Sequence, residues 1–211
     1  MKPMTALTGG SAMGGQRPRL YSIGHSNIAS EDLLCLLKSH RIEVVADVRS
    51  SPRSRHVPHF DAGPLQEALA QQSIKYVSLS RQLGGRPDDD EFYDEQGHVR
   101  YDRLARSQTF QAGIDRVLRG ARNYRIALLC SEEDPLKCHR YLLIGRVLRD
   151  RGAAVLHIRG DGRIQAEDDL YSSQADASPQ GELFKANLEE RRWRSAQSVS
   201  RRRAPLNSSG Y

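Results

Sequence analysis

Short apolar runs separated by amphipathic stretches set the pattern of this chain. RLYSIG (19–24), EVVADV (43–48), KYVSLS (75–80), RIALLC (125–130) and AAVLHI (153–158) are rich in apolar and β-branched residues and predict five strands. Between them the spacing turns helical. Ser30 can cap a helix with Glu31 and Asp32 in its first turn, and Leu33, Leu34, Leu36 and Leu37 follow. Pro64 opens a second helix through Leu65, Ala68 and Leu69. Phe110, Ile114, Val117 and Leu118 mark a third, which Gly120 stops. Asp134-Pro135 sets a capping residue and a first-turn proline before a long fourth helix, which Gly152 ends. Near-continuous apolar strands alternating with helices predict an α/β fold. The expectation is a mainly parallel sheet of about five strands with helices on both faces, a Rossmann-like three-layer arrangement.

The patterned sequence occupies residues 18–170, which we expect to form a single α/β domain. Residues 1–17 are rich in Gly, Ser and Ala and predict a disordered N-terminal tail. Residues 171–211 predict a polar, basic C-terminal tail with a short helix over Glu182–Ala196. Residues 84–106 are polar, too long for a plain connection, and read as a mobile surface loop or lid.

Of 211 residues, 38% are hydrophobic and 27% charged, as in a soluble globular protein. No apolar run approaches the roughly 20 residues of a membrane span, and the first residues lack the apolar stretch of a signal peptide. Three cysteines, an odd number, do not make a disulfide framework and predict a reducing, cytoplasmic setting. The net charge of +6 is uneven: residues 1–17 carry +2, residues 171–211 carry +3, and the core between them +1. Basic ends of this kind bind polyanions without sequence preference, or merely solubilise the chain.

In open α/β sheets ligands bind outside the carboxyl ends of the strands. At that edge the sequence sets His25 and Ser26 after strand one, and Asp47, Arg49, Pro52, Arg53 and Ser54 after strand two. Gly84-Gly85 follows strand three. Cys130, Ser131 and Glu132 close strand four, and Cys138, His139 and Arg140 open the next helix. Arg159 follows strand five. A cysteine between a strand and a helix N-terminus, near His139 and Arg140, is a candidate thiolate nucleophile; it is equally a small hydrophobe completing the strand. Cys138, in the first helical turn, and Cys35, among leucines, read as packed. His25 and Asp47 suit a base and its orienting carboxylate, although Asp47 suits equally well a tie to Arg49 or the loop backbone. Glu132 and His139 are further candidates for moving protons. Arg49 and Arg140 suit bidentate capture of a phosphate or carboxylate, with Ser26 and Ser54 beside them. Neither G-x-G-x-x-G nor G-x-x-x-x-G-K-[ST] occurs, so neither a dinucleotide nor any other cofactor is expected. Cys130, Cys138, His139 and His25 are also soft ligand types, but the wide cysteine spacing departs from short structural zinc motifs, and no metal is assigned.

Several motifs occur together: S-I-G-H-S (22–26), A-D-V-R-S-S-P-x-S (46–54), Phe60, L-G-G (83–85), L-L-C-S-E (128–132), C-H-R (138–140) and V-L-H-I (155–158). The set resembles the domain-of-unknown-function family 488 (DUF488) from about Tyr21 to Ile158. The resemblance implies an α/β domain in bacterial or archaeal cytoplasm and brings no established reaction. It points to His25, Ser26, Asp47, Arg49, Pro52, Ser54, Cys130, Glu132, Cys138, His139 and Arg140. The expected function is that of an enzyme, a Cys-dependent transferase or hydrolase, acting on an anionic substrate, a nucleotide or nucleic-acid component. The rival readings are a nucleic-acid-binding module using the basic ends and the arginine edge, and a Cys/His metal-binding protein.

Overall fold

A computed structural model describes residues 17–176 and 193–197. The chain runs β1 (Arg19–Gly24), α1 (Ser30–Ser39), β2 (Val44–Asp47), α2 (Ala62–Gln71), β3 (Lys75–Ser78), α3 (Ser80–Leu83) and α4 (Tyr101–Leu104). It continues α5 (Gln108–Gly120), β4 (Ile126–Cys130), α6 (Arg146–Asp150), β5 (Ala154–Ile158), β6 (Ile164–Ala166) and α7 (Glu167–Asp176). The sheet order is β3-β2-β4-β1-β5-β6. The first five strands are parallel, as the alternation predicts, and β6 returns antiparallel to β5. β6 escapes the hydrophobic pattern because it is three residues long and starts at the exposed Ile164.

Side chains alternate across the pleat, so each strand feeds two cores. Tyr21, Ile23, Val45, Ala127 and Leu129 meet Leu33 and Leu37 of α1 and Leu65 and Leu69 of α2 on one face. Leu20, Val44, Ala46, Leu128, Cys130 and Val155 meet Phe110, Ile114 and Val117 of α5 and Leu143, Ile144 and Leu148 on the other. Each fully buried leucine or isoleucine here contributes about 1.5–3 kcal/mol. Helix α1 buries the stripe Leu33–Leu37. Cys35 lies off that stripe and is exposed, contrary to its expected place in the core. Ser30 is the first helical residue rather than the cap, a position that Ala29 holds without a side-chain hydrogen bond.

Two segments differ from expectation in ways that shape the site. The helix expected from Pro135 does not run unbroken. Asp134 caps a 3-10 turn at Pro135–Lys137, Cys138 is extended (φ −119°, ψ 143°), and the chain then winds as π-helix over Arg140–Gly145 into α6. Residues 84–106, read as a mobile surface loop, pack Val99, Tyr101, Leu104 and Ala105 into the core. Their bridge Tyr93–Val99 continues through Arg100–Arg194, so Trp193–Gln197 lie against the domain. Backbone hydrogen bonds from Tyr101 to the Trp193 carbonyl (2.8 Å) and from Ser195 to the Val99 carbonyl (3.1 Å) hold them there. An ion pair joins Arg194 to Asp94, and the Arg146 guanidinium stacks on the Trp193 ring at 4.2 Å. The tail expected over 1–17 lies outside the described residues save Arg17, as does the helix expected over 182–196 save its last four residues; these form a turn and a bridge instead of helix.

Candidate active site

Strands β1, β2 and β4 end together, and the ladder continues past their ends: His25 N–H bonds the Cys130 carbonyl (3.0 Å), Ser26 N–H the Ser131 carbonyl (2.8 Å), and Val48 N–H the Leu129 carbonyl (3.0 Å). Pleat parity then divides the edge into two nests.

The first follows Ile23 and Val45 onto the α1/α2 face. The Asp47 carboxylate is buried and receives the fork of Arg49, with Nε at 2.9 Å and Nη2 at 2.5 Å, together with the Arg49 backbone N–H at 3.1 Å. Tyr76 Oη donates to the same carboxylate at 2.8 Å. Burial and the Asp47 charge push the Tyr76 hydroxyl well above its ordinary pKa. Arg49 Nη1 donates to the Phe60 carbonyl (2.8 Å) and to His25 Nε2 (3.2 Å). A carbonyl only accepts, so the 2.7 Å contact between His25 Nδ1 and the Ser26 carbonyl puts the imidazole proton on Nδ1. Nε2 is left as the acceptor for Arg49. Burial, then the Arg49 charge, holds the His25 pKa below its ordinary value, against the Ser26 carbonyl and the Cys130 and Asp47 charges. His25 stacks on Phe60 with ring centroids 4.4 Å apart.

His25 and Asp47 therefore do not form a base–carboxylate dyad, because Arg49 stands between them. The other weighed reading of Asp47, a tie to Arg49 and the loop backbone, is the one the geometry shows.

The second nest follows Leu128 onto the α5/α6 face. Cys130 Sγ lies 3.6 Å and Cys138 Sγ 3.8 Å from His139 Nδ1, and the three donor atoms lie within 4.8 Å of one another. His139 Nε2 contacts the Val48 carbonyl at 3.0 Å, so Nε2 carries a proton and Nδ1 faces the sulfurs. Cys138 is extended where it makes this convergence, between the 3-10 turn and the π-helix. π-Turns of this kind recur at functional sites. Gly85 lies against the imidazole: a Cβ there would stand 2.6 Å from His139 Cγ, which accounts for the second glycine of L-G-G. The hydrogen bond from Cys138, then the His139 and Arg140 charges, lower the Cys130 thiol well below its ordinary pKa against the cost of burial. Burial and the Cys130 thiolate raise Cys138. Burial lowers His139, but the Cys130 charge and hydrogen bond and the Val48 carbonyl together raise it above its ordinary pKa.

Arg140 is fully buried beneath this nest. Its guanidinium donates to the Glu132 carbonyl (2.6 Å), the Glu133 carbonyl and Ser22 Oγ (3.2 Å), while Nε has no partner among the described residues. It fastens the Cys130–Cys138 loop to β1, whose Gly24 leaves no room for a Cβ beside the Glu132 carbonyl. Glu133 ties the same loop to Arg159 through two hydrogen bonds of 2.9 and 2.8 Å.

Above the thiols lies a cleft of about 320 Å³. Of the expected residues, Arg49, Cys130, Glu132 and His139 line it, along with Cys138 and Arg53. Ser26, Asp47, His25 and Arg140 do not line it, nor does Ser54, whose hydroxyl accepts from the backbone N–H groups of His56 and Val57 and shapes a turn. The lining also holds Arg86, Lys137 and Ser195–Gln197, which the sequence reading passed over. Arg86 directly follows L-G-G and Lys137 directly precedes C-H-R, so proximity to those motifs was the available signal. Nothing in the sequence ties Ser195 to this edge. The balance is basic: Arg49, Arg53, Arg86 and Lys137 face one acid, Glu132. No helix among the described residues is long and apolar enough to cross a membrane.

The model of the family described as "Domain of unknown function DUF488" matches residues 30–147, which span β2, β4, both cysteines of the second nest and His139. No curated protein and no solved structure matches the chain.

Proposed function

The chain belongs to the DUF488 family, and from the nest at the end of β4 we propose an enzyme that acts on an anionic, phosphate-bearing substrate with Cys130 as its nucleophile. The observation that carries this reading is a thiol of lowered pKa, paired with His139, on the floor of a cleft whose rim holds four cationic side chains. A thiolate is the reactive form of cysteine, and an adjacent imidazolium keeps it ionised. Arg53, Arg86 and Lys137 hold the anion by charge-assisted hydrogen bonds, while Arg49, its fork spent on Asp47, walls the cleft. Bound so, a nucleotide or nucleic-acid component presents its electrophilic centre to Cys130 Sγ. The new bond to sulfur forms as the bond to the leaving group breaks, and His139 or Glu132 returns a proton to the departing atom. Water or an acceptor then releases the group, which makes the reaction hydrolysis or group transfer. Arg140, expected to grip the anion directly, acts in this reading from beneath, through its charge on the thiolate. His25 and Asp47 become the scaffold that aims Arg49.

The test is a panel of nucleotides and phosphoesters assayed for released phosphate or leaving group, with Cys130→Ser beside the unmodified protein. The substitution should abolish turnover while circular dichroism shows the variant still folded. Full turnover by the folded variant removes the nucleophile role.

A further inference from the structure

We propose that Cys130, Cys138 and His139 form a binding site for one thiophilic divalent cation of the zinc class, whose fourth coordination position opens on the cleft. This goes beyond the catalytic reading and does not depend on it. The argument begins with distance. With metal–sulfur bonds of about 2.3 Å and a metal–nitrogen bond of about 2.0–2.1 Å, a tetrahedral ion separates nitrogen from sulfur by about 3.6 Å. The Nδ1–sulfur distances here are 3.6 and 3.8 Å, and all three donors lie within 4.8 Å of one another, so an ion is seated when the two sulfurs, about 3.8 Å apart around a tetrahedral ion, close by at most about 1 Å.

Orientation gives the second argument. A ligating histidine generally spends its other ring N–H on a carbonyl or carboxylate, which fixes the tautomer and the ring plane. His139 makes that bond to the Val48 carbonyl, and Gly85 backs the ring. Nδ1 faces the two sulfurs, and on losing its proton to an entering ion it offers its lone pair there. Charge is also suitable: two thiolates offset a divalent cation, which displaces their protons as it binds.

The loop between the cysteines is tied without any ion, by Arg140 to the Glu132 and Glu133 carbonyls and by Glu133 to Arg159. A site held open in this way differs from a structural zinc finger, which collapses without its metal. All three ligands line the cleft, so an ion can enter from solvent and retain a water or substrate ligand. An ion seated there holds Cys130 as a ligand, so metal binding and attack by Cys130 exclude one another.

Cobalt(II) titration of the reduced, chelator-treated protein tests the proposal. The expected result is one ion per chain, with a sulfur-to-cobalt charge-transfer band in the near ultraviolet and intense tetrahedral bands in the visible, both displaced by zinc. Cys130→Ser and Cys138→Ser should each lose the charge-transfer intensity, and Cys35→Ser should keep it. In the unmodified protein, zinc should protect Cys130 and Cys138 from iodoacetamide while exposed Cys35 stays reactive. That readout stands even if a variant fails to fold. Weak octahedral cobalt spectra, tetrahedral bands that survive in both serine variants, or thiols that zinc does not protect would overturn the site. Absence of cobalt binding with a reactive Cys130 removes the metal site and leaves the nucleophile. A cobalt site in a protein whose Cys130→Ser form turns over fully does the reverse.

Discussion

Replacing Glu167 by glutamine should remove the loss of stability above neutral pH that the buried face of β1 and β5 builds into folding. Arg140 Nη1 donates to Ser22 Oγ at 3.2 Å, and Ser22 Oγ lies 2.6 Å from His157 Nδ1. His157 Nε2 lies 2.9 Å from Glu167 Oε2, while Glu167 Oε1 has no partner among the described residues. Burial pushes the Glu167 carboxyl from 4.5 up to about 8. Burial, with the Arg140 and Arg159 charges, brings His157 from 6.5 down to about 3. For Glu167 the folded state holds its proton more tightly than the unfolded chain. The stability it contributes is complete below pH 4.5 and lost as pH rises through 8. For His157 the folded state resists protonation, so stability falls as pH drops from 6.5 through 3. At ~1.4 kcal/mol per pH unit over each window, either group is worth at most about 5 kcal/mol. Glutamine still accepts from His157 Nε2–H and never ionises. Urea unfolding at several values between pH 4 and 9 should show the unmodified protein near level from about pH 4.5 to 6.5, where the two slopes offset, and weakening from there to pH 8, whereas Glu167→Gln strengthens up to pH 6.5 through His157 and then holds level. The gap between the two should open with pH. Parallel curves for the two proteins would refute the buried, protonated carboxyl.

Three further outcomes follow from the same contacts. Arg49→Met strands the buried Asp47 carboxylate and should cost about 3–5 kcal/mol in urea unfolding, whereas an exposed pair would cost little. Gly85→Ala drives a methyl group into the His139 ring; it should cost about 1–3 kcal/mol and slow Cys130 alkylation, both readable on one protein sample. Cys130 should be alkylated faster at neutral pH than an ordinary thiol, and Arg140→Gln should lower that rate, as mass spectrometry of the labelled peptides would show.

The sheet was legible because β1, β2, β4 and β5 are buried on both faces, and such strands write themselves as unbroken apolar runs. β6 was not, since three half-exposed residues carry no period. The edge was legible as a place and not as an arrangement. His25, Asp47, Cys130 and His139 all stand at strand ends or just beyond them. Which of them meet depends on pleat parity and on strand order, and the one-dimensional pattern fixes neither. His25 continues Ile23 and Cys130 continues Leu128, so the imidazole and the thiol reach opposite faces of the sheet. Asp134-Pro135 reads as the start of one long helix. The extended Cys138 and the π-turn after it go with Arg140 reaching back to the Glu132 and Glu133 carbonyls, a tertiary arrangement with no local signature. Ser195 reaches the cleft through a bridge between residues nearly a hundred positions apart in sequence.

Two arginines that look alike in sequence divide the labour of this edge. Arg49 meets a carboxylate through a full fork, so its nest is close to neutral and rigid, and it aims side chains without drawing charge. Arg140 meets carbonyls and a hydroxyl, with no carboxylate in contact among the described residues. A buried guanidinium without a counter-ion is costly, and removing an ion from water is repaid only by a close opposite charge. The Cys130 thiolate is the anion that the Arg140 charge helps to hold ionised. The Arg140 charge thus adds to the hydrogen bond from Cys138 and the His139 charge in keeping that thiol ionised. If Cys130 becomes neutral, by protonation or by bonding to a substrate group, the floor of the cleft is left with surplus positive charge. That surplus favours an anionic group at the mouth at the stage when the thiolate charge has been consumed.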